Sequence, residues 1–182
     1  MHTNVPEAPQ VPIYALGDAL PVIDPSAFIS PDAVVIGRVT IGPETTVWPC
    51  AVLRGDYGAI TIGAQTSIQD GAVLHATADL DTTIGDRCVI GHLAHLEGCI
   101  VGDDCLIGSG AVVLHRVVVE AGALVGAGAV VPNGTVVPSR AMALGVPARI
   151  REDAVAAGAF AENVASYVRN GHRFGAELRR IG

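Results

Sequence analysis

Residues 101–137 read VGDDCLIGSGAVVLHRVVVEAGALVGAGAVVPNGTVV, and an aliphatic residue returns at every sixth position of this stretch. The residues in that register are Val101, Ile107, Val113, Val119, Val125, Val131 and Val137. A six-residue period is typical of a β-solenoid in which three short strands make one triangular coil, with each spaced side chain pointing into the prism. The stretch therefore predicts an all-β fold, a parallel β-helix.

The same spacing extends toward the N-terminus, with three changes of register. The earlier members are Ile29, Val35, Ile41, Val47, Leu53, Ile62, Ile68, Leu74, Ile84, Ile90 and Leu96. Half of the residues are hydrophobic but only 4% are aromatic, and glycine is abundant, with 22 residues. That composition suits a narrow core of small branched side chains with a tight turn at every corner. We expect one solenoid over residues 23–150.

The two ends of the chain do not carry the repeat. Residues 1–22 hold four of the eleven prolines and no hexad, which predicts an extended N-terminal arm. Residues 151–182 show helical spacing of their larger apolar side chains, which predicts a C-terminal α-helix packed on the solenoid. Those side chains are Val155, Phe160, Val164, Tyr167 and Val168.

Charge and sorting signals narrow the class of protein. The net charge is −7, and no cluster of lysine and arginine is present, so nucleic acid is not the expected partner. We find no signal-peptide pattern and no apolar run that could span a bilayer, which predicts a cytoplasmic protein with no membrane partner. In a reducing compartment the four cysteines would remain thiols.

The three changes of register fall after the same face of the prism. We number the faces so that Ile62, Ile68 and Leu74 point inward from the first, second and third face. The changes fall between Leu53 and Ile62, between Leu74 and Ile84, and between Leu96 and Val101. Solenoids place insertions at corners, and functional loops collect there. The third face is therefore the expected functional wall.

Polar side chains follow the inward leucines on that wall. Arg54, His75 and Glu97 each point outward on successive coils, and neighbouring coils stack about 4.8 Å apart. His95 points outward on the same face, and His92 lies at the corner leading into it. Zinc binds neutral imidazole and carboxylate, and a catalytic site keeps one position for a water whose pKa falls to about 7. The wall is therefore a candidate metal site.

An ordered set of motifs on these coils is similar to one known family. The motifs are Leu53-Arg54-Gly55-Asp56, Ile68-Gln69-Asp70, Leu74-His75 and Ile90-Gly91-His92. The set resembles the γ-class carbonic anhydrases and their bacterial homologues in the left-handed β-helix superfamily. The resemblance implies a left-handed solenoid and a homotrimer with Zn²⁺ or Fe²⁺ at the subunit interfaces. It also implies reversible hydration of CO₂ to bicarbonate, the lyase reaction of a carbonate dehydratase.

The resemblance also implies roles for single residues. His75 and His92 match metal ligands, Arg54 and Asp56 match an interfacial ion pair, and Gln69 matches a residue that orients the metal-bound water. Asp70 belongs to the same motif.

The third ligand position of the family is occupied by Glu97 rather than histidine. Either Glu97 or His95, two residues earlier on the same outward face, would then complete the site. Tyr167, on the predicted helix, is a further candidate because that helix could bring its ring over the wall. Packing against the solenoid is the other role open to Tyr167.

Two other functions fit the same fold. Hexapeptide-repeat acyltransferases use a histidine as general base with acyl-CoA as donor, and His115 is the candidate for that role. A trimeric binding or assembly subunit without catalysis is the third possibility, which the altered ligand position supports. One architecture hosts unrelated functions, so the fold alone does not choose among them.

Overall fold

The computed structural model describes residues 11–181 of the chain. In chain order the strands are β1 (Ile13–Tyr14), β2 (Val22–Ile23), β3 (Phe28–Ile29), β4 (Val34–Ile41), β5 (Thr46–Val47), β6 (Val52–Ile62), β7 (Ser67–Ile68), β8 (Val73–His75), β9 (Thr82–Ile84), β10 (Val89–Ile90), β11 (His95–Glu97), β12 (Ile100–Val101), β13 (Leu106–Ile107), β14 (Val112–Val113), β15 (Val118–Val119), β16 (Leu124–Val125), β17 (Val130–Val131), β18 (Val136–Val137), β19 (Met142–Leu144) and β20 (Arg149–Arg151), and the helix is α1 (Ala161–Glu177).

The strands stack in parallel along three faces, and the predicted fold class, a left-handed parallel β-helix with a C-terminal helix, is confirmed. The third face runs β6-β8-β11-β14-β17 and the first face runs β6-β9-β12-β15-β18. The second face is a separate sheet in the order β3-β5-β7-β10-β13-β16-β19-β20. Only the last pair of that sheet, β19 with β20, is antiparallel.

The core is the column of inward hexad residues. Ile62, Ile68 and Leu74 are each at most 1% exposed, as are their counterparts on the following coils. Because each coil contributes one such side chain per face, burial repeats along the axis and every coil depends on its neighbours. The outward positions are therefore the ones free for chemistry.

Two strands join the first and third faces into one sheet. Residues 52–54 of β6 pair with β8 on the third face, whereas residues 60–62 pair with β9 on the first face. β4 runs alongside β6 with an irregularity of register between Gly37 and Val39. The extra residues predicted between Leu53 and Ile62 are thus accommodated in a continuous strand that rounds the corner.

The two end segments pack against the solenoid. β1 and β2, which lie within or next to the predicted arm 1–22, both pair with β4, while residues 1–10 of that arm lie outside the described residues. α1 packs on the second face against β3, β5 and β7. Its approach is close at Gly171, where an added Cβ would lie 2.6 Å from Cγ2 of Thr46. No helix in the described part of the chain is both long and apolar enough to cross a bilayer.

Candidate functional site

The third face brings charged side chains of successive coils into line. Arg54 pairs in register with His75, and His75 pairs in register with Glu97, as the six-residue spacing predicts. Each follows a buried leucine, so each points outward from the wall. The parallel register therefore stacks a cation, an imidazole and a carboxylate on three adjacent coils.

His75 lies between two carboxylates. Its Nδ1 is 2.6 Å from Oε1 of Glu97, and its Nε2 is 2.9 Å from Oδ1 of Asp56. Asp56 also accepts a hydrogen bond from Arg54. The His75 side chain is 14% exposed, so the wall covers most of the ring. With both ring nitrogens engaged, His75 is held in one orientation.

Glu97 joins this arrangement to two further histidines. Its Oε2 lies 3.3 Å from Nε2 of His115 and 3.6 Å from Nε2 of His95. Burial raises the pKa of the Glu97 carboxyl, but hydrogen bonds from His75 and His115 outweigh burial, so its pKa lies below the ordinary value. Glu97 is therefore an ionised carboxylate among three imidazoles.

The pKa of Asp56 is also lowered. Burial acts to raise it, whereas the hydrogen bonds from His75 and Arg54 lower it and prevail. Asp56 and Glu97 are thus both negative at neutral pH. Together with Arg54 they form a network of paired charged side chains. His115 lies at the partly solvent-exposed edge of this network.

His115 enters the site from the next coil. Leu96 pairs with Val113, so the residue after Leu114 lies at the corner beside Glu97. An added Cβ at Gly98 would lie 3.3 Å from Cδ2 of His115, so the absence of a side chain there leaves room for the ring. The His115 side chain is 34% exposed, so its ring is partly open to solvent. From the sequence we expect no contact between His115 and this cluster. The position of His115 one coil beyond Glu97 is the feature of the sequence that indicates such a contact.

Other predicted site residues have different surroundings. His92 pairs through Nδ1 with Asp70 at 3.0 Å, and both side chains are about half exposed. Gln69 is 2% exposed and donates to Oγ of Ser67 at 2.5 Å on the second face. Tyr167 lies on α1 with its ring centroid 6.3 Å from that of Trp48. Within one chain, Glu97 lies close to both His75 and His95 on the third face. Gln69 and Tyr167 instead lie where α1 packs on the second face.

The predicted metal site is not complete within the described residues of one chain. Among residues 11–181, no group of three or more His, Cys, Asp or Glu side chains is arranged to hold a metal ion. Both nitrogens of His75 face carboxylates, so a metal would have to displace one of them. The Zn²⁺ or Fe²⁺ site, with Glu97 or His95 as third protein ligand, remains a prediction that requires groups from another subunit.

This chain is similar in sequence to known proteins with the same repeat. A family model described as bacterial transferase hexapeptide (six repeats) matches residues 81–115. Among curated proteins, the carnitine operon protein CaiE of Escherichia coli is 45% identical over 91 residues, which are 50% of this chain and 46% of that protein. The chain thus spans about half the length of the curated relatives it matches.

Two solved structures match almost along their whole length. A protein described as a putative acetyltransferase of Bacillus cereus superposes with a TM-score of 0.88 at 30% identity, covering 91% of this chain and 98% of that one. A hexapeptide transferase family protein from Anaplasma phagocytophilum superposes with a TM-score of 0.84 at 31% identity, covering 89% and 97% of the two chains. Both relatives therefore have the fold described above.

Proposed function

Because this chain belongs to the hexapeptide-repeat superfamily, in its γ-class carbonic anhydrase-like family of left-handed β-helix proteins, we propose that the wall built around Glu97 catalyses acyl transfer from a CoA thioester, with His115 as the general base. The fold is common to unrelated activities, so the proposal rests on the site. The observation that carries it is the 3.3 Å contact between Nε2 of His115 and Oε2 of Glu97. The names of the two long structural matches, an acetyltransferase and a hexapeptide transferase, support the same class.

The contact with Glu97 sets the direction of proton transfer. A carboxylate accepts a hydrogen bond from the protonated ring nitrogen, which favours the tautomer with the proton on Nε2 and the lone pair on Nδ1. Nδ1 of His115 then takes the proton from an acceptor hydroxyl or amine as its oxygen or nitrogen attacks the thioester carbonyl. The C–S bond breaks, the proton passes to the departing sulfur, and the products are an ester or amide and free CoA.

The rest of the network holds Glu97 in place. His75 binds Oε1, which leaves Oε2 directed at His115 and His95. Asp56 binds the far side of His75, and Arg54 neutralises Asp56. A carboxylate that is fixed and ionised stabilises the imidazolium formed during transfer. Arg54, Asp56 and His75 are therefore positioning residues in this proposal, and His115 is the catalytic residue.

The test is acyl transfer by the His115→Ala variant. With acetyl-CoA and a panel of small amines and alcohols, loss of the thioester ultraviolet absorbance measures turnover. We expect His115→Ala to lower turnover by about 100- to 10,000-fold, the usual contribution of a general base. His172→Ala is the matched control, since His172 is an exposed histidine on α1 that contacts Glu44. Turnover that survives His115→Ala would contradict the proposal.

Carbonic anhydrase activity is the second candidate, and the placement of His75 and Glu97 side by side on adjacent coils favours it. Since residues 11–181 of one chain do not complete the ligand set, a metal would have to lie between subunits, with His92 of one protomer facing His75 and Glu97 or His95 of another. Elemental analysis of protein purified without chelator tests this directly. One Zn²⁺ or Fe²⁺ per chain, lost together with CO₂ hydration in His75→Ala, would establish this function over acyl transfer.

We also propose the homotrimer that the resemblance implies. Light scattering at micromolar concentration is expected to give three times the mass of one chain, which is 18.6 kDa. A trimer with neither thioester turnover nor bound metal would favour the binding or assembly subunit instead. A monomer would contradict both the trimer and the shared metal site.

A further inference from the structure

A second cavity lies away from the His115 site, between another corner of the solenoid and the start of α1. Its volume is about 660 Å³, within the range of small-molecule sites. Its lining is a corner of the solenoid on one side and residues 156–169 on the other. The charged residues of the lining are Arg87, Asp104, Arg140 and Arg169, and its larger apolar residues are Phe160, Val164 and Val168.

One side of the cavity is a column of corner residues. Asp104, Gly122 and Arg140 occupy the same corner position on successive coils, as the backbone hydrogen bonds between these corners show. All three have positive φ. Asp104 and Arg140 carry long or charged side chains, whereas Gly122 has none. An added Cβ at Gly122 would lie 3.4 Å from Cγ of Arg140, so the stem of Arg140 lies against Gly122 on this side of the cavity. Residues 156–169 line the opposite side.

The lining contains three arginines, and each of them is paired with at least one carboxylate. The arginines are Arg87, Arg140 and Arg169, and Asp104 belongs to the same lining. Arg87 binds Asp104 through two nitrogens, at 2.7 and 3.0 Å, and also lies 3.4 Å from Asp103 and 3.7 Å from Asp86, so its charge is neutralised. The other two guanidinium groups of the lining belong to Arg140 and Arg169, and each has one carboxylate partner.

Arg140 and Arg169 retain donors for a ligand. Arg140 contacts Asp153 at 3.1 Å and Arg169 contacts Glu162 at 2.6 Å, and in each case one guanidinium nitrogen makes the contact. A guanidinium has five N–H donors, so each side chain can bind an anion while keeping its present partner. Both pairs are solvent-exposed, and exposed ion pairs contribute little, so they can also exchange partners.

The remainder of the lining is apolar. Phe160, Val164, Val168 and a run of alanines cover the side of the cavity formed by residues 156–168. A ligand that fills the cavity therefore needs an apolar body as well as a negative group, because a small inorganic ion would leave the apolar surface in contact with water.

We propose that this cavity binds a small organic anion, with its carboxylate or phosphate between Arg140 and Arg169 and its apolar body against Phe160, Val164 and Val168. The site is independent of the proposed acyl transfer, since it shares no residue with the wall around Glu97. It gives the chain a second small-molecule site at the junction of the solenoid and α1.

Calorimetric titration of the full-length protein with four probes tests the proposal. Hexanoate and hexyl phosphate carry both features, hexan-1-ol has the apolar body alone, and inorganic phosphate has the anion alone. We expect one equivalent per chain of hexanoate or hexyl phosphate, bound at least about tenfold more tightly than either single-feature probe. The tighter of the two anions identifies the head group. Equal binding of hexan-1-ol or of inorganic phosphate would overturn the proposal, as would no saturable binding.

Matched variants locate the site. Arg169→Gln is expected to weaken binding of the tighter probe by about tenfold. Arg173→Gln makes the same charge change one turn further along α1, where Arg173 stacks on Phe174 outside the lining, and is expected to leave binding unchanged. Ala165→Leu fills the cavity without changing charge and is expected to abolish binding. If Arg169→Gln and Arg173→Gln behave alike, or if Ala165→Leu binds normally, the anion lies elsewhere and the proposal is wrong.

Discussion

Polar side chains project from both the second and the third face of the prism, but they differ in charge and in burial between the two faces. On the second face, Nε1 of Trp48 donates to Thr46 and Ser67, and Gln69 also donates to Ser67. These groups are neutral, buried and covered by α1. On the third face, the network around Glu97 is charged and remains partly open to solvent.

The difference between the faces lies in what covers them. A neutral hydroxyl or amide can be buried at little cost when its hydrogen bonds are complete, so a covered polar layer serves to hold a helix in place. A set of carboxylates and imidazoles that keeps some solvent exposure can exchange partners with a substrate. Outward polar residues therefore indicate chemistry only on a face that no other element covers.

Removing the anchor of the covered layer should give the largest effect. Trp48 is 7% exposed and packs edge-on against Phe174, with ring centroids 5.1 Å apart. We expect Trp48→Ala to lower the free energy of unfolding by about 3–5 kcal/mol, as for other buried aromatic truncations. Urea denaturation followed by circular dichroism measures it. Trp48→Phe, which keeps a ring but loses both hydrogen bonds, should cost less, and equal costs would refute the packing explanation.

Removing one charge from the open wall should change activity more than stability. Glu97→Gln keeps the shape of the side chain but no longer provides an ionised acceptor for His115. We expect turnover of the thioester to fall about 10- to 100-fold, as when a supporting carboxylate is removed from a histidine. Glu97→Asp should restore part of the loss. If Glu97→Gln instead unfolds the protein like Trp48→Ala, the two faces do not differ in the way described.

Acid should act on the open wall and leave the neutral layer alone. The folded-state pKa values of Asp56 and Glu97 are lowered, so their ionised forms stabilise the fold. This contribution is complete above the unfolded-state values of about 4 and is lost as the pH falls through the lower folded-state values. Unfolding free energies measured from neutral pH to about pH 3 should therefore decline, and less steeply in Glu97→Gln.

Glu162→Gln is the control for this acid response. The Glu162 side chain is 83% exposed and lies on α1, so its removal should leave the pH dependence of the parent. An unchanged acid response in Glu97→Gln would show that the wall carboxylates do not stabilise the fold.

Thiol labelling tests which cysteines are buried, and its expected effect is the smallest among these predictions. Cys50 is exposed at a corner, whereas Cys88, Cys99 and Cys105 are buried, and burial raises the pKa of Cys99 to about 12. A thiol reacts as its thiolate, so we expect one rapidly labelled cysteine in the native protein and four after denaturation. Cys50→Ser should remove the rapid phase. Rapid labelling of a second site would show that a coil opens locally.

Much of this architecture could be predicted from sequence because a hexad is a strong local signal. Each inward aliphatic residue is fixed by the period, so the stacking of Arg54, His75 and Glu97 follows from counting. The pairing of Glu97 with His115 did not follow, because it depends on how the chain leaves the strand after Leu114.

The placement of Gln69 and Tyr167 could not be predicted for a different reason. Gln69 is outward by the hexad period and Tyr167 lies on the predicted packing face of the helix, yet which face of the solenoid α1 covers is a property of tertiary packing. The close approach at Gly171 decides it, and a glycine inside a helical pattern carries no such information by itself. Whether the metal predicted for this wall exists depends on contacts between subunits, which hexad spacing within one chain does not encode.

The length of strand β6 should affect how the solenoid unfolds under a pulling force. In most of the solenoid each coil is joined to the next by short ladders of two or three residue pairs, so a pulling force on the C-terminus should peel coils away one at a time. At β4 and β6 the ladder instead has seven residue pairs, is interrupted only between Gly37 and Val39, and ties two faces together. Peeling should stall there, and the coils that hold Arg54 and Asp56 should yield last, as a single larger extension step.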